Sequence, residues 1–191
     1  MGAGDELNGK LSDKELGGHA MKNKNKFNIN LLCGEKNIHL RSASIVDLEN
    51  LRNWKNSERN YFFHQSVIEV EQQRSWFDSF YHRPNDYMLI LDIDGASIGC
   101  MGIRLLSNNE WDVYNVILGV ASFGKQGYMG RALTAMLQMA RSENDFPIKL
   151  KVLKSNPALN WYQKNGFNIE YEEIDHFGLR YQNKTSKEFQ S

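Results

Sequence analysis

The segment Gly124-Lys125-Gln126-Gly127-Tyr128-Met129-Gly130-Arg131-Ala132-Leu133 carries three glycines in seven residues, directly ahead of an apolar helical period. Glycines let a backbone turn tightly and approach a ligand closely. The helix that follows opens with unpaired N–H groups and the positive end of its dipole. Together these features suit an anion, and a pyrophosphate in particular. Lys125 and Arg131 add positive charge. Alone, the loop reads equally well as a glycine-rich turn that only bends the chain. It is neither a Walker A loop nor a G-x-G-x-x-G fingerprint.

A second segment follows the next strand at close range: Asn156-Pro157-Ala158-Leu159-Asn160-Trp161-Tyr162-Gln163-Lys164-Asn165-Gly166-Phe167. In this order and spacing, the two segments resemble the GNAT (GCN5-related N-acetyltransferase) superfamily. Its members carry a (Gln/Arg)-x-x-Gly-x-(Gly/Ala) loop at the start of the central helix. Later comes an Asn-x-x-Ala-x-x-x-Tyr-x-x-x-Gly-Phe-like stretch. Gly127 and Met129 fall on the first pattern; Asn156, Tyr162, Gly166 and Phe167 fall on the second. Gly124 stands where the family often has Gln or Arg, and Met129 where a small residue is usual. Lys125 or Gln126 would then supply the missing polar group. The resemblance spans residues 36–182, because the order of elements agrees as well.

The resemblance implies direct transfer of an acyl group, most simply acetyl from acetyl-CoA, to a primary amine. It implies that Lys125, Gln126, Gly127, Tyr128, Met129, Gly130 and Arg131 hold the pyrophosphate, with Asn156 and Tyr162 close to the thioester. The backbone of Val116, Ile117 and Leu118 is expected to pair with the pantetheine arm, in a cleft where this strand splays from its parallel neighbour near Leu150. An alkylamine with a pKa near 10 is mostly protonated at neutral pH, so a group must take its proton. The attack also forms an oxyanion that needs preorganised donors. Tyr162 matches the family's usual general acid. A thiol pKa of about 8.5 lies below a phenol pKa of about 10, so hydrogen bonding to the departing sulfur is the role that fits. Its alternative is an aromatic packed beside Trp161 and Phe167.

For the base, Glu110 and Asp112 begin the strand that should edge the acetyl site, and Asp112 stands where several relatives keep an acid. Each also reads as a solvated carboxylate near a turn. His64 and His82 are further candidates on the acceptor side. The acceptor should meet the first two helices and their connecting loop, with Arg52, Asn53 and Trp76 as candidate contacts. Arg52 or Arg74 could meet a phosphate, and Tyr61, Phe62, Phe63 or Trp76 could stack on a base or sugar. The alternative is a hydrophobic core with solvated basic edges. These stretches resemble equivalents in relatives acting on nucleotide-linked amino sugars and in ribosomal-protein N-terminal acetyltransferases. A small-molecule amine is the first reading and a protein or peptide N-terminus the second. A CoA-binding module without turnover is the third.

The elements that must position these residues are legible from periodicity. Asn37 to Arg41 alternates as a strand, and Ser44 with Asp47 signals a helix start. A helix is expected over 69–82. Strands Tyr87–Ile93 and Ala96–Leu105 flank Asp94-Gly95, a strong hairpin signal. Ser107-Asn108-Asn109 is a turn, and Trp111 to Val120 a third strand. Residues 127–143 form a helix with Leu133, Met136, Leu137 and Ala140 along one face. A strand over 148–152, a short helix over 157–164 and closing strands over 167–171 and 177–181 complete the set. The expected fold class is α/β (α+β): a mixed, mostly antiparallel sheet flanked by helices. The resemblance adds a V-shaped splay between the strands near 111–120 and 148–153.

Composition narrows the class. Lys and Arg total 23 and Asp and Glu total 23, so no clustered basic surface recommends nucleic acid. Cys33 and Cys100 match no metal or redox spacing, and no metal is expected. No apolar run approaches the ~20 residues of a membrane span, and no secretory signal is seen. A cytoplasmic monomer or homodimer is expected. Residues 1–26 are polar and aperiodic and read as a disordered tail. Residues 1–20, ahead of Met21, read as an expression leader or as a natural tail that docks. Residues 183–191 read as a C-terminal tail.

Overall fold

The computed structural model describes residues 27–182. The expectations for 1–26 and 183–191 lie outside these residues. Chain order is β1 (Asn28–Cys33), β2 (Lys36–Ser42), α1 (Leu48–Ser57), α2 (Val70–Tyr81), β3 (Asp86–Ile93), β4 (Ala96–Leu105), β5 (Trp111–Leu118), α3 (Tyr128–Glu143), β6 (Ile148–Leu153), α4 (Leu159–Lys164), β7 (Phe167–Glu172) and β8 (His176–Tyr181). The strands form one sheet in the order β1-β2-β3-β4-β5-β6-β8-β7. Every neighbouring pair is antiparallel except β5 and β6.

Strand alternation sorts side chains onto two cores. From β3, Tyr87, Leu89, Leu91 and Ile93 face α3 and α4. Met88 and Ile90 face α1 and α2, against Leu51, Trp54, Phe77 and Phe80. On α3, Leu133, Met136, Leu137 and Ala140 are all buried, as their spacing predicts. The Asp94-Gly95 turn has positive φ at both residues, 49° and 85°, which a two-residue hairpin of this hand requires.

Three local readings differ. Strand β1 is absent from the sequence reading, although Phe27, Ile29, Leu31 and Cys33 alternate ahead of Gly34. Its outer edge has no partner strand among the described residues, and Leu32, 73% exposed, interrupts the alternation. The Ser44 signal is spent on a 3-10 turn over Ile45–Asp47 before α1 begins. There the Asp47 carboxylate accepts from the Ser44 N–H at 2.8 Å and from Arg41 at 2.8 Å. Finally, β5 stops at Leu118 rather than Val120, because the Gly119 and Val120 N–H groups both turn to the Ile98 carbonyl, at 2.8 and 3.0 Å.

Gly119 also lets the Trp54 ring lie against the backbone; a Cβ built there overlaps the indole. Gly119→Ala is therefore expected to destabilise the fold by about 1–3 kcal/mol. Urea titration should show a lower midpoint with an unchanged slope. An unchanged midpoint would show that Trp54 shifts at no cost.

Candidate active site

The ladder between β5 and β6 holds only two residue pairs, Trp111↔Ile148 and Asp112↔Lys149. Beyond them the strands part, giving the expected V-shaped splay. Close to its mouth β5 carries a bulge. The register with β4 shifts between Cys100 and Gly102, and Asn115 takes a left-handed φ of 47°. A bulge leaves its extra residue out of the ladder and re-aims the side chains around it.

On the α3 side of the splay lies a cavity of about 550 Å³. Val116, Leu118, Met129 and Trp161 give it an apolar wall; Lys125 and Lys164 bring charge to its rim. Gly127 caps α3 with φ 80°, and Lys125 is left-handed at φ 60°. The first backbone bond of α3 runs from the Arg131 N–H to the Gly127 carbonyl, at 3.1 Å. The N–H groups of Tyr128, Met129 and Gly130 are thus left open at the helix start. This pairing of an open, positive helix end with an apolar trough fits a long ligand that is anionic at one end.

On the α1 side a second cavity, about 360 Å³, includes Asp112, Tyr114, Asn156 and Tyr162. Tyr162 is the one residue common to this cavity and the first. Its ring is buried and packs edge-on to Trp161 and Phe167, with centroids 5.2 and 5.9 Å away. Burial pushes its phenol well above the ordinary tyrosine range, so it stays protonated. A third cavity, about 300 Å³, continues inward and is lined by Trp76. It meets the second at Lys55, His64 and Asn115.

The structure does not gather all sequence-predicted residues into one place. Val116, Leu118, Lys125, Gly127, Tyr128, Met129, Gly130 and Tyr162 line the first cavity. Ile117, on the opposite pleat, lines the third instead. Gln126 turns back, its Nε2 donating to the Ser122 carbonyl at 2.9 Å. Arg131 lines a neighbouring groove beside Lys164. Asn156 accepts the Ala158 N–H at 2.8 Å and donates to the Tyr61 carbonyl at 3.1 Å, which ties the α1–α2 loop down beside Tyr162.

Of the acids, Asp112 is in the cavity wall and Glu110 is not. Burial pushes the Asp112 carboxyl up against the pull of Arg104, whose Nε donates to it at 2.9 Å. Glu110 is held by Lys149 at 2.6 Å and Asn108 at 2.8 Å, and these bonds keep its carboxyl below the ordinary range. Arg52 and Arg74 share a separate groove of about 400 Å³, which meets the third cavity only at Gln73. Asn53 is exposed and lines none of these cavities. His82 is exposed, its Nδ1 bonded to the Asp78 carbonyl at 2.7 Å. Sequence reasoning gave Lys55, Asn115 and Trp161 no role of their own; Lys55 lies in the Arg52–Asn56 stretch read as an acceptor contact, Trp161 adjoins Tyr162, and Asn115 carried no signal.

Both cysteines are free thiols, and Cys100 is buried. Among the described residues no group of three His, Cys, Asp or Glu side chains is placed to hold a metal ion. No described helix is long and apolar enough to cross a membrane.

The family model for the acetyltransferase (GNAT) domain matches residues 37–168, so the chain belongs to the GNAT acetyltransferase domain family. A comparison with curated proteins finds no match. Among solved structures, a domain from Methanocaldococcus jannaschii superposes with TM-score 0.68 at 15% identity, over 76% of this chain and 98% of that one. PaiA N-acetyltransferase from Thermoplasma acidophilum, in complex with coenzyme A, gives TM-score 0.57 at 19% identity, over 76% and 99%. FdhC, a nucleotide-linked sugar GNAT in its apo form, gives 0.63 at 19%, over 81% and 90%. At these identities the likeness is one of fold.

Proposed function

We propose that the protein is an acetyl-CoA-dependent N-acetyltransferase acting on a small-molecule amine. The observation that carries this reading is Tyr162, the residue common to a cavity suited to a long anionic cofactor and a second cavity on the other side of the splay. In this reading the α3 N-terminus and Lys125 receive the pyrophosphate. The wall of Val116 and Leu118 flanks the pantetheine arm, and the amine arrives from the α1 side. The second and third cavities and the Arg52–Arg74 groove meet end to end, through Lys55, His64 and Asn115 and then Gln73. An elongated acceptor, such as an amino sugar on a nucleotide, would place its phosphates by Arg52 and Arg74 and its amine toward Tyr162. The fold likeness to a nucleotide-linked sugar GNAT supports that class.

A screen for free CoA against amino sugars, polyamines, amino acids and short peptides tests the reaction. Release with none of them, in protein that binds acetyl-CoA, would leave a binding module in its place. Acetyl-CoA at a hundred times its Kd should stabilise the fold by about 2.7 kcal/mol. That corresponds to a melting temperature about 5–10 °C higher in a chain of this size. NAD and ATP should shift it much less; equal shifts with all three would remove the cofactor assignment.

A further inference from the structure

Lys55, in the last turn of α1, has no acidic partner although it is largely removed from solvent. Its Nζ donates to Asn115 Oδ1 at 2.6 Å and lies 3.0 Å from the centre of the Phe62 ring. No carboxylate contacts it among the described residues. Asp112, the acid in the same cavity, is held by Arg104 at 2.7 Å. Cys100 beneath it stays a neutral thiol, because burial pushes it up to about 12. The other charged or titratable groups of these cavities are Tyr61 and His64 of the α1–α2 loop, Tyr114 of β5, Lys151 of β6 and Tyr162 of α4; the Tyr114 hydroxyl is spent on Asp86, to which it donates at 2.5 Å. From α2 come only the neutral Gln72, Gln73 and Trp76.

A lysine ammonium brings three donors and no acceptor; the neutral amine brings two hydrogens and one lone pair. Asn115 Oδ1 and the face of Phe62 take two hydrogens, and the cavities on either side of Lys55 are left for the lone pair. Burial lowers its pKa to about 7, although the Phe62 face favours the charge. A base that titrates near neutrality is suited to accept a proton from an ammonium at physiological pH.

We propose that Lys55 takes the proton from the acceptor ammonium, an assignment that rests on the acyltransferase reading above. The bound R–NH3+ gives one proton to the Lys55 amine. R–NH2 then attacks the thioester carbon, and the C–N bond forms as the C–S bond breaks. A second proton leaves that nitrogen and ends on the departing sulfur, to which Tyr162 donates. Lys55 finally returns its proton to solvent. The products are one amide, one CoA thiol and one released proton.

The test compares wild type with Lys55→Arg and Lys55→Met in the full chain. In wild type, the reactivity of Lys55 toward trinitrobenzenesulfonate, followed by mass spectrometry across pH, should rise with a midpoint near 7. A midpoint near 10 overturns the proposal, whether or not an acceptor is known. On the best amine from the screen, both variants should lose about 100-fold in kcat/KM at pH 7. The gap should close toward pH 10, where the amine deprotonates unaided. Arginine keeps the charge and cannot act as a base. Near wild-type turnover in Lys55→Arg would therefore make Lys55 a binding cation and overturn the proposal.

Melting supplies a third readout. A lysine whose folded pKa is lowered leaves the unfolded chain holding more protons between about 7 and 10, so stability rises with pH there. The penalty is full below about pH 7. Lys55→Met should raise the melting temperature at pH 6 and not at pH 10; equal shifts at both contradict a lowered lysine. Wild type that binds acetyl-CoA but turns over no amine removes the acyltransferase reading itself. Loss of the Lys55 assignment alone leaves wild-type turnover intact.

Discussion

Tyr162→Phe is expected to lower the rate of acetyl transfer about ten- to a thousand-fold while leaving the acetyl-CoA dissociation constant nearly unchanged. The change removes one hydroxyl and keeps the ring, so the edge-on contacts to Trp161 and Phe167 survive. That hydroxyl makes no hydrogen bond to any described residue, so no buried partner is stranded by its loss. Burial keeps the phenol protonated across the physiological range, ready to donate. A donor that meets sulfur only as negative charge develops on it acts on the transition state and little on the ground state. Slow product release can hide such a loss in kcat. Single-turnover transfer at saturating acceptor is therefore the measurement. A folded variant with wild-type single-turnover rates would return Tyr162 to a packing role.

The second large effect belongs to Gly127→Asp, expected to weaken acetyl-CoA binding about 100-fold, or about 2.7 kcal/mol. Gly127 caps α3 in the left-handed region at φ 80°, and a Cβ there meets nothing within 4 Å in the free protein. Crowding in the free fold is thus not the cause. An aspartate would set a negative charge at the helix end that receives the pyrophosphate, opposing the dipole's attraction. Gly127→Asn is the control, since Asn is similar in size and also tolerates the left-handed region. It should lose far less, and part of the Asp deficit should fade at high salt. Calorimetric titration of both variants decides. Equal affinities for Asp and Asn would mean that charge at this loop is irrelevant and that the phosphates bind elsewhere.

Legibility followed the range of the forces involved. The Asp94-Gly95 hairpin and the apolar face of α3 are set by neighbours one to seven residues apart, so pattern alone reveals them. The glycine loop and the Tyr162 segment are contiguous stretches too, but each is ambiguous alone and takes its meaning from the family resemblance of the two in order and spacing. Strand β1 was missed because the exposed Leu32 puts an apolar residue on the outer face and so breaks the alternation of Phe27, Ile29, Leu31 and Cys33. The pleat sends the Ile117 side chain to the face opposite Val116 and Leu118, which bears on its side chain and leaves the expectation for its backbone as it was. The Asn115 bulge, which disturbs that pleat, comes from pairing with β4 and has no local mark. Lys55 was hidden for a deeper reason. Nothing in its sequence neighbours foretells desolvation; that arises when Phe62, Cys100 and Asn115 close around it from three other parts of the chain.

Past Lys149 no ladder bond sets the distance between β5 and β6. Side-chain volume behind the gap does: Leu150, Val152, Tyr162 and Phe167 belong to the same buried cluster as Leu133 and Met136. Hydrogen-bonded strands sit about 4.8 Å apart whatever their side chains, but packed surfaces move with each methylene. The width of the gap is thus an adjustable dimension. A substitution at Leu133 or Met136, neither of which lines a cavity, can narrow or widen it, and under the acetyltransferase reading it would change the acyl group admitted while every lining residue stays as it is.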